Sequence, residues 1–275
     1  MELILKSFNI KIWQSMKNPD QNNTKLKEDV YSKSSSKKGL LGFMESVFRK
    51  FRTLTFVVAL APLYMLCIFA MGVSATSGIY FFFFISESTS GWLKIFHYTA
   101  IGVGLFGGFF LYGISLIFIV PLVNFLIPVK VKPFRSGFYS LSSVPWYIHN
   151  ALTYAVRYTF LEYLTPTPLN MLFYRMMGMK IGKDSHINTT NISDPCLIEI
   201  GEKVIIGGSA TIIAHYASQG FLVVEPVKIH KGVTIGLKAT IMGDVEIGED
   251  AIIGPHEVVL PKSRIPAGRK YDKIS

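Results

Sequence analysis

Cysteine is almost absent from this chain: two residues in 275. Cys67 sits in an apolar run and Cys196 far downstream, so no disulfide framework is implied and a reducing compartment is compatible. Charge is scarce too. Asp, Glu, Lys and Arg make up 17% of residues against 50% apolar, a balance that suits a protein partly in lipid. Acids are scarcer than bases, 18 against 28, for a net charge of +10. The excess is uneven, because residues 1–52 hold eleven Lys/Arg against five Asp/Glu. Such an excess serves either nucleic acid or an anionic membrane surface. Here it abuts an apolar run, and the chain has neither an RNA-binding motif nor a basic helix interleaved with aromatics. Nucleic acid is therefore excluded as a partner. No cleavable signal peptide is visible, since the first apolar run begins after fifty residues and exceeds the length of a signal h-region.

Two long stretches lack charge entirely: residues 53–85 and residues 98–129. About 20 helical residues cross a hydrocarbon core, so each is long enough to span. The first opens as LTFVVALAPLYMLCIFAMGV, with Pro62 as a candidate kink. The second holds Gly102, Gly104, Gly107, Gly108 and Gly113, small residues that permit close helix contact. The connection at residues 86–97 has one base, Lys94. The N-terminal flank has eleven, and Lys130, Lys132 and Arg135 follow the second run. The positive-inside rule places both termini in the cytoplasm. Residues 4–16 read as a short amphipathic helix on the bilayer, residues 18–38 as a polar linker, and residues 144–165 as an aromatic-rich interfacial helix too polar to be a third span. LNMLFYRMMG then reads as a short helix stopped by Gly178 that covers the open end of a C-terminal repeat domain.

In that domain Ile229, Ile235, Ile241, Ile247, Ile253, Val259 and Ile265 are spaced by six. Neither the helical period of 3.6 nor the strand period of 2 gives six. A coil of three short parallel strands does, with one inward aliphatic per face and about 18 residues per turn. The repeat begins at Ile181 and Ile187, slips by one residue, and resumes at Ile200, Ile206 and Ile212. It predicts four to five coils, each unable to bury its apolar face alone. Between Ile212 and Ile229 the phase breaks, with eleven residues beyond one step. The ejected segment, HYASQGFLVVEP, is expected to be a functional loop.

That segment opens with His215, three residues after an inward Ile and thus near a corner of the prism. A neutral imidazole there can take a proton from an attacking hydroxyl or amine. Glu225, at the end of the loop, and Asp244, near the same corner one turn on, are the candidates to orient it. His186, His230 and His256 read as rung positions facing solvent, and His97 and His149 as interfacial. Neither cysteine has a base beside it in sequence. Lys262, Arg264 and Arg269 cluster near the C-terminal end, where phosphates of a bound coenzyme could meet them. No metal is expected, because the histidines of the repeat lack the close pair that an interfacial zinc site requires.

The stretch MMGMKIGKDSHI, with IEIGEKVIIGGSATIIAHYASQGFLVVEPVKIHKGVTIGLKATIMGDVEIGEDAIIG and VVLPKSRIPAG, resembles the left-handed β-helix (hexapeptide repeat) acyltransferase superfamily. Left-handedness comes from that resemblance, since the general crossover rule gives the opposite hand. A closer match is to the membrane-linked C-terminal domains of poly-lysine-synthetase-type peptide synthetases, through Met-Gly-x-Lys-Ile-Gly at residues 177–182 and Ile-x-x-His at residues 212–215, then Gly220 and Pro-Val-x-Ile at residues 226–229. The resemblance covers residues 176–268. It implies a homotrimer, a cytoplasmic thioester donor (acyl-CoA, or an acyl or aminoacyl carrier protein) and a histidine base that maps onto His215. Residues 269–275 replace the Trp-x-Gly-x-Pro cap usual in the family. No adenylation or carrier domain precedes the apolar runs, so the chain is expected not to activate an amino acid itself.

The expected architecture is a two-helix transmembrane hairpin followed by an all-β left-handed parallel β-helix. Its parts are a basic cytoplasmic segment (1–52), the hairpin (53–129), an interfacial helical connector (130–175) and the β-helix (176–275). The expected protein is a multi-pass integral membrane acyltransferase with two spans, in a bacterial inner membrane. Membrane lipid, a carrier protein and a lipid-linked acceptor are its expected partners. The alternatives are a free-standing condensation unit that joins aminoacyl thioesters and a non-catalytic trimerising scaffold. A γ-class carbonic anhydrase relative is disfavoured by the histidine spacing.

Overall fold

The computed structural model describes residues 32–35 and 38–271, apart from the side chain of Thr55. The amphipathic segment at residues 4–16 and most of the linker at 18–38 lie outside the described residues. Helix α1 (Gly39–Lys50) leads directly into α2 (Arg52–Ser88), and α3 (Lys94–Leu126) runs back beside it. Helix α2 continues through Pro62 and through the FFFF stretch to Ser88. Both α2 and α3 are long and apolar enough to cross a membrane. Phe56, Met65, Ile68 and Phe69 of α2 and Leu105, Phe106 and Phe125 of α3 are all exposed. Where the two helices cross, Gly78 meets Gly108. A Cβ on Gly78 would lie 2.2 Å from the Gly108 carbonyl oxygen, so only glycine admits the backbone contact. Ser77 and Ser115 share a hydrogen bond of 2.8 Å nearby. Gly102 takes no part in the contact.

After α3 the chain forms the strand Phe134–Gly137, helix α4 (Val144–Arg157), a 3-10 turn (Leu161–Leu164) and helix α5 (Pro168–Met176). Lys130 caps α3 by donating to the Asn124 and Phe125 carbonyls at 3.1 and 2.8 Å. Phe160 of the connector packs on α3 through Phe109 and Phe110.

The rest is a parallel β-solenoid of about five turns. Its three faces are built from strands of two or three residues. On one, Ile181, Ile200, Ile229, Ile247 and Ile265 stand in register. On the second the column is Ile187, Ile206, Ile235, Ile253 and Tyr271. On the third it is Ile192, Ile212, Ile241 and Val259. Apart from Tyr271 and Ile192, which stands inside the one-residue slip, these are the six-spaced aliphatics, and stacking makes the columns the core. The glycine that often follows them occupies a corner where successive coils touch: a Cβ on Gly236 would lie 2.5 Å from Pro255 N. The outward positions of the first face alternate in sign, Lys180, Glu199, Lys228, Glu246 and Arg264, a ladder of charge that keeps this face in water.

Along the faces amides of one coil donate to carbonyls of the next, as Gly182 does to Ile200 and Gly201 to Ile229, while corner amides donate back, as Lys203 does to Lys183. Face carbonyls of the first coil such as those of Ile181 and Ile187, whose counterparts Ile200 and Ile206 accept from the coil before, have no earlier coil to bind them. Helix α5 supplies the donors. Asn170 Nδ2 meets the Ile187 carbonyl at 2.9 Å, Tyr174 Oη the Thr190 carbonyl at 3.2 Å and Arg175 the Ile181 carbonyl at 3.3 Å. The short helix ending before Gly178 thus covers the open end, as its sequence suggested.

The register makes a paired prediction. Ile229→Ala should cost about 2–5 kcal/mol of stability, while Lys228→Ala next to it should stay within about 0.5 kcal/mol. Denaturant titration of the purified protein in detergent checks this, and equal losses would contradict the assignment of faces.

Candidate functional site

The break in the repeat is a β-hairpin, not an irregular loop. Strands His215–Ser218 and Phe221–Val224 pair antiparallel across Gln219 and Gly220, whose φ angles are both positive, 53° and 85°. Positive φ at both central residues is the turn geometry that suits the twist of a hairpin. Strand Phe134–Gly137 of the connector adds to the outer edge, pairing antiparallel with Phe221–Val224. Arg135 lies over the Phe221 ring at 4.6 Å. The hairpin is therefore bound to the segment that leaves α3, and is not a free excursion into solvent.

His215 stands where the hairpin leaves the coil, with 21% of its side chain exposed. Its Nδ1 is 2.5 Å from Oδ2 of Asp194. A carboxylate can only accept, so Nδ1–H donates and Nε2 keeps its lone pair as the candidate base. Asp194 is fully buried and sits at φ 59°, a left-handed conformation that aspartate tolerates better than most residues. Its Oδ2 also accepts from the Ala214 amide at 3.1 Å, and its Oδ1 from Asn150 Nδ2 of α4 at 2.6 Å. Trp146, one turn earlier on α4, stands edge-on to the imidazole, with ring centroids 5.0 Å apart and planes at 79°. One side of the imidazole is thus covered by this chain's own connector.

Asp194 was not among the residues expected from the sequence. The carboxylate does come from an adjacent coil at the same corner, but from the coil before His215 and not the one after it. Gly243 occupies that corner in the following coil, where a Cβ would sit 3.0 Å from the His215 amide nitrogen. Asp244, just beyond it, binds Arg264 through Oδ1 at 2.6 Å. Its carboxylate faces that guanidinium, and the Nδ1 partner of the imidazole is Asp194. The signal for Asp194 was the one-residue slip between Ile187 and Ile200. That slip accommodates the left-handed aspartate and the 3-10 turn Pro195–Leu197.

Glu225 follows the hairpin, and its amide donates to the Ala214 carbonyl at 2.9 Å. Partial burial and the neighbouring Asp244 raise the pKa of its carboxyl. Arg264 is already engaged by Asp244 and lies 3.7 Å from Glu246. Lys262 takes a corner position at φ 67°, and the amide of Arg269 donates to the Pro266 carbonyl. His230 pairs with Glu246 at 2.9 Å, and His256 is a corner residue at φ 60°. Burial pushes the Cys196 thiol up to about 12, which leaves it without nucleophilic thiolate near neutrality. Among the described residues no three His, Cys, Asp or Glu side chains are grouped to hold a metal ion.

No protein-family model matches this chain. Delta-poly-L-ornithine synthetase of Acinetobacter baumannii is 25% identical over 162 residues, 57% of this chain. The chain spans only 12% of the length of that relative. Solved structures it is similar to include acetyltransferases. Maltose O-acetyltransferase of Clostridium difficile is 19% identical, with a TM-score of 0.36 over 52% of this chain and 95% of that one. Serine acetyltransferase isoform 3 of Entamoeba histolytica, solved with cysteine, is 13% identical, with a TM-score of 0.30 over 70% and 68%. A hexapeptide-repeat acetyltransferase of Vibrio cholerae, solved with acetyl coenzyme A, is 14% identical, with a TM-score of 0.30 over 43% and 81%.

One further histidine belongs to this region. His149 of α4 is buried and bonds Asn124 at the end of α3 through Nδ1 at 3.1 Å. Burial, aided by Lys130 and opposed by Asp194, lowers it from its ordinary 6.5 to about 4. As pH falls through that window the unfolded chain takes up a proton that the folded chain refuses. Stability is therefore full above about 6.5 and declines towards 4, by about 3 kcal/mol at the lower limit. Melting temperatures in detergent from pH 7 to pH 4.5 should fall, and His149→Gln should flatten that slope. An unchanged slope in the variant would assign the pH dependence elsewhere.

Proposed function

We propose that the protein is a membrane-bound acyltransferase. It moves an acyl group from a cytoplasmic thioester, acyl-CoA or a carrier protein, to a hydroxyl or amine. The observation that carries this reading is the His215–Asp194 pair at 2.5 Å, with its imidazole partly exposed at the mouth of the inserted hairpin. The acetyltransferase names among the similar proteins agree with it.

His215 Nε2 takes the proton of the acceptor as its oxygen or nitrogen attacks the thioester carbonyl. Asp194 fixes the tautomer and stabilises the imidazolium that forms. Collapse of the tetrahedral intermediate breaks the C–S bond, and the imidazolium returns its proton to the departing thiolate. Base catalysis of this kind contributes about 10²–10⁴ in rate. No enzyme-bound acyl intermediate is required. Glu225 and Asp244 line the exit of the hairpin from the coil, where they suit contacts to an acceptor amine. Lys262, Arg264 and Arg269 are the candidate contacts for donor phosphates, with Arg264 drawn partly away by Asp244.

In this reading α2 and α3 span the bilayer, with the coil and both flanks in the cytoplasm as the positive-inside rule requires. The imidazole then lies near the membrane. Trp146 meets Tyr147 at 4.9 Å, and Tyr147 meets Phe56 near the start of α2 at 6.3 Å. That depth favours an acceptor held in lipid, such as a lipid-linked molecule. A homotrimer would bring a second copy against the side of the imidazole that Trp146 leaves open. The similarity to delta-poly-L-ornithine synthetase supports a second reading, a condensation unit that forms a peptide bond from an aminoacyl thioester.

Thiol release from acetyl-CoA by membranes holding the protein tests the first reading. His215→Ala and Asp194→Asn should each lower it by about 10²–10⁴, the latter because the imidazole loses its fixed tautomer. Equal rates in wild type and His215→Ala would remove the base and leave a trimerising scaffold. Activity only on addition of an aminoacyl carrier protein would favour the condensation reading.

A further inference from the structure

We propose that Asn150, on the helix that joins the apolar hairpin to the coil, is a positioning residue for the His215–Asp194 pair. The inference rests on His215 as the base and adds a part from outside the solenoid. Three hydrogen bonds tie α4 to the loop that holds Asp194. Asn150 Nδ2 donates to Asp194 Oδ1 at 2.6 Å, Tyr154 Oη and Ser193 Oγ lie 2.8 Å apart, and Arg157 donates to Asn191 Oδ1. Asp194 is fully buried, out of reach of bulk water, so the loss of a donor costs it a hydrogen bond that solvent outside does not replace. Its Oδ2 is occupied by the Ala214 amide and by His215, and Asn150 meets the other oxygen. The Asn150 amide is oriented in turn: the same Nδ2 donates to the Trp146 carbonyl at 3.1 Å. Both contacts are acceptors, so a flipped amide would set oxygen against oxygen.

One turn of α4 thus holds the carboxylate through Asn150 and backs the imidazole through Trp146. The same turn is anchored to the apolar helices, through His149 to Asn124 and Tyr147 to Phe56. The coil by itself contains the imidazole and the carboxylate. The connector supplies the donor that fixes the carboxylate in a left-handed corner. Seating the coil on the connector is therefore the step that completes the base, and this links catalytic competence to assembly at the membrane.

The test uses the full chain in detergent, with two readouts. The first is thiol release from acetyl-CoA by Asn150→Ala, alone and in an Asp194→Ala background. The second is the tautomer of His215, read from ¹⁵N shifts of histidine-labelled protein and assigned with His215→Gln. Asn150→Ala should lower turnover about 10-fold at unchanged KM, the size expected for loss of one hydrogen bond to a charged group. It should also turn a single Nδ1–H tautomer into a mixture, and its effect on turnover should vanish when Asp194 is already Ala. Asn150→Ser, which keeps a short donor, should recover part of both signals, and it replaces the alanine variant if that one does not fold. An unchanged tautomer, or the same fold-loss in the Asp194→Ala background, would overturn the proposal. If wild type releases no thiol from acetyl-CoA, the proposed activity fails while the tautomer still decides the role of Asn150.

Discussion

The stack of coils depends on one constraint: a parallel backbone ladder in which successive turns exchange amide-to-carbonyl hydrogen bonds. That ladder holds only while successive turns are near the same length, because a residue gained or lost moves every later side chain off its column. The inward aliphatics then fall on one another and bury what no single turn can bury. Both departures from the rule have structural consequences. The extra residue before Ile200 makes room for the left-handed corner of Asp194. The eleven extra residues after Ile212 leave the prism as a hairpin and return at Val227 in register with Ile198. The site stands between these two departures, on adjacent coils at one corner.

The ends of the stack and the site share a second feature. A solenoid has no internal means of covering its first coil, and here the connector does so. Asn170, Tyr174 and Arg175 bind the first-coil carbonyls, while Asn150, Tyr154 and Arg157 bind the loop from Asn191 to Asp194. The connector is thus the cap that stabilises the coil and one wall of the candidate site. It packs on α3 through Phe160 and through the bond from His149 to Asn124, so the geometry around His215 is referred to the apolar hairpin rather than to the coil alone.

Electrostatics separate the faces of the prism. The alternating ladder Lys180, Glu199, Lys228, Glu246 and Arg264 consumes most of the charge on its face locally, and Arg264 is drawn to Asp244 and Glu246. The corner with His215 has the opposite character, with one buried carboxylate, aromatic neighbours and little solvent. A low-dielectric setting of that kind strengthens a hydrogen bond to a carboxylate and raises the cost of leaving it without donors.

The sequence by itself determined the solenoid, its columns, the site of its interruption and the histidine at its edge. Each follows from a period or a break in a period, and periods are local properties of a chain. It also determined the two long apolar helices, from length and lack of charge. It did not determine that the interruption is a hairpin joined by Phe134–Gly137, since the break in phase predicts only a loop. The choice of Asp194 over Asp244 or Glu225 was decided only in three dimensions. Which coil stacks beneath a corner depends on a one-residue slip, and Arg264 competes for Asp244. The roles of Asn150 and Trp146 belong to tertiary structure as well. They lie more than forty residues from Asp194 and more than sixty from His215, on a helix whose own pattern says only that it is amphipathic. Packing alone brings that helix within hydrogen-bonding distance of the carboxylate, because short-range forces act on neighbours in space and not on neighbours in sequence.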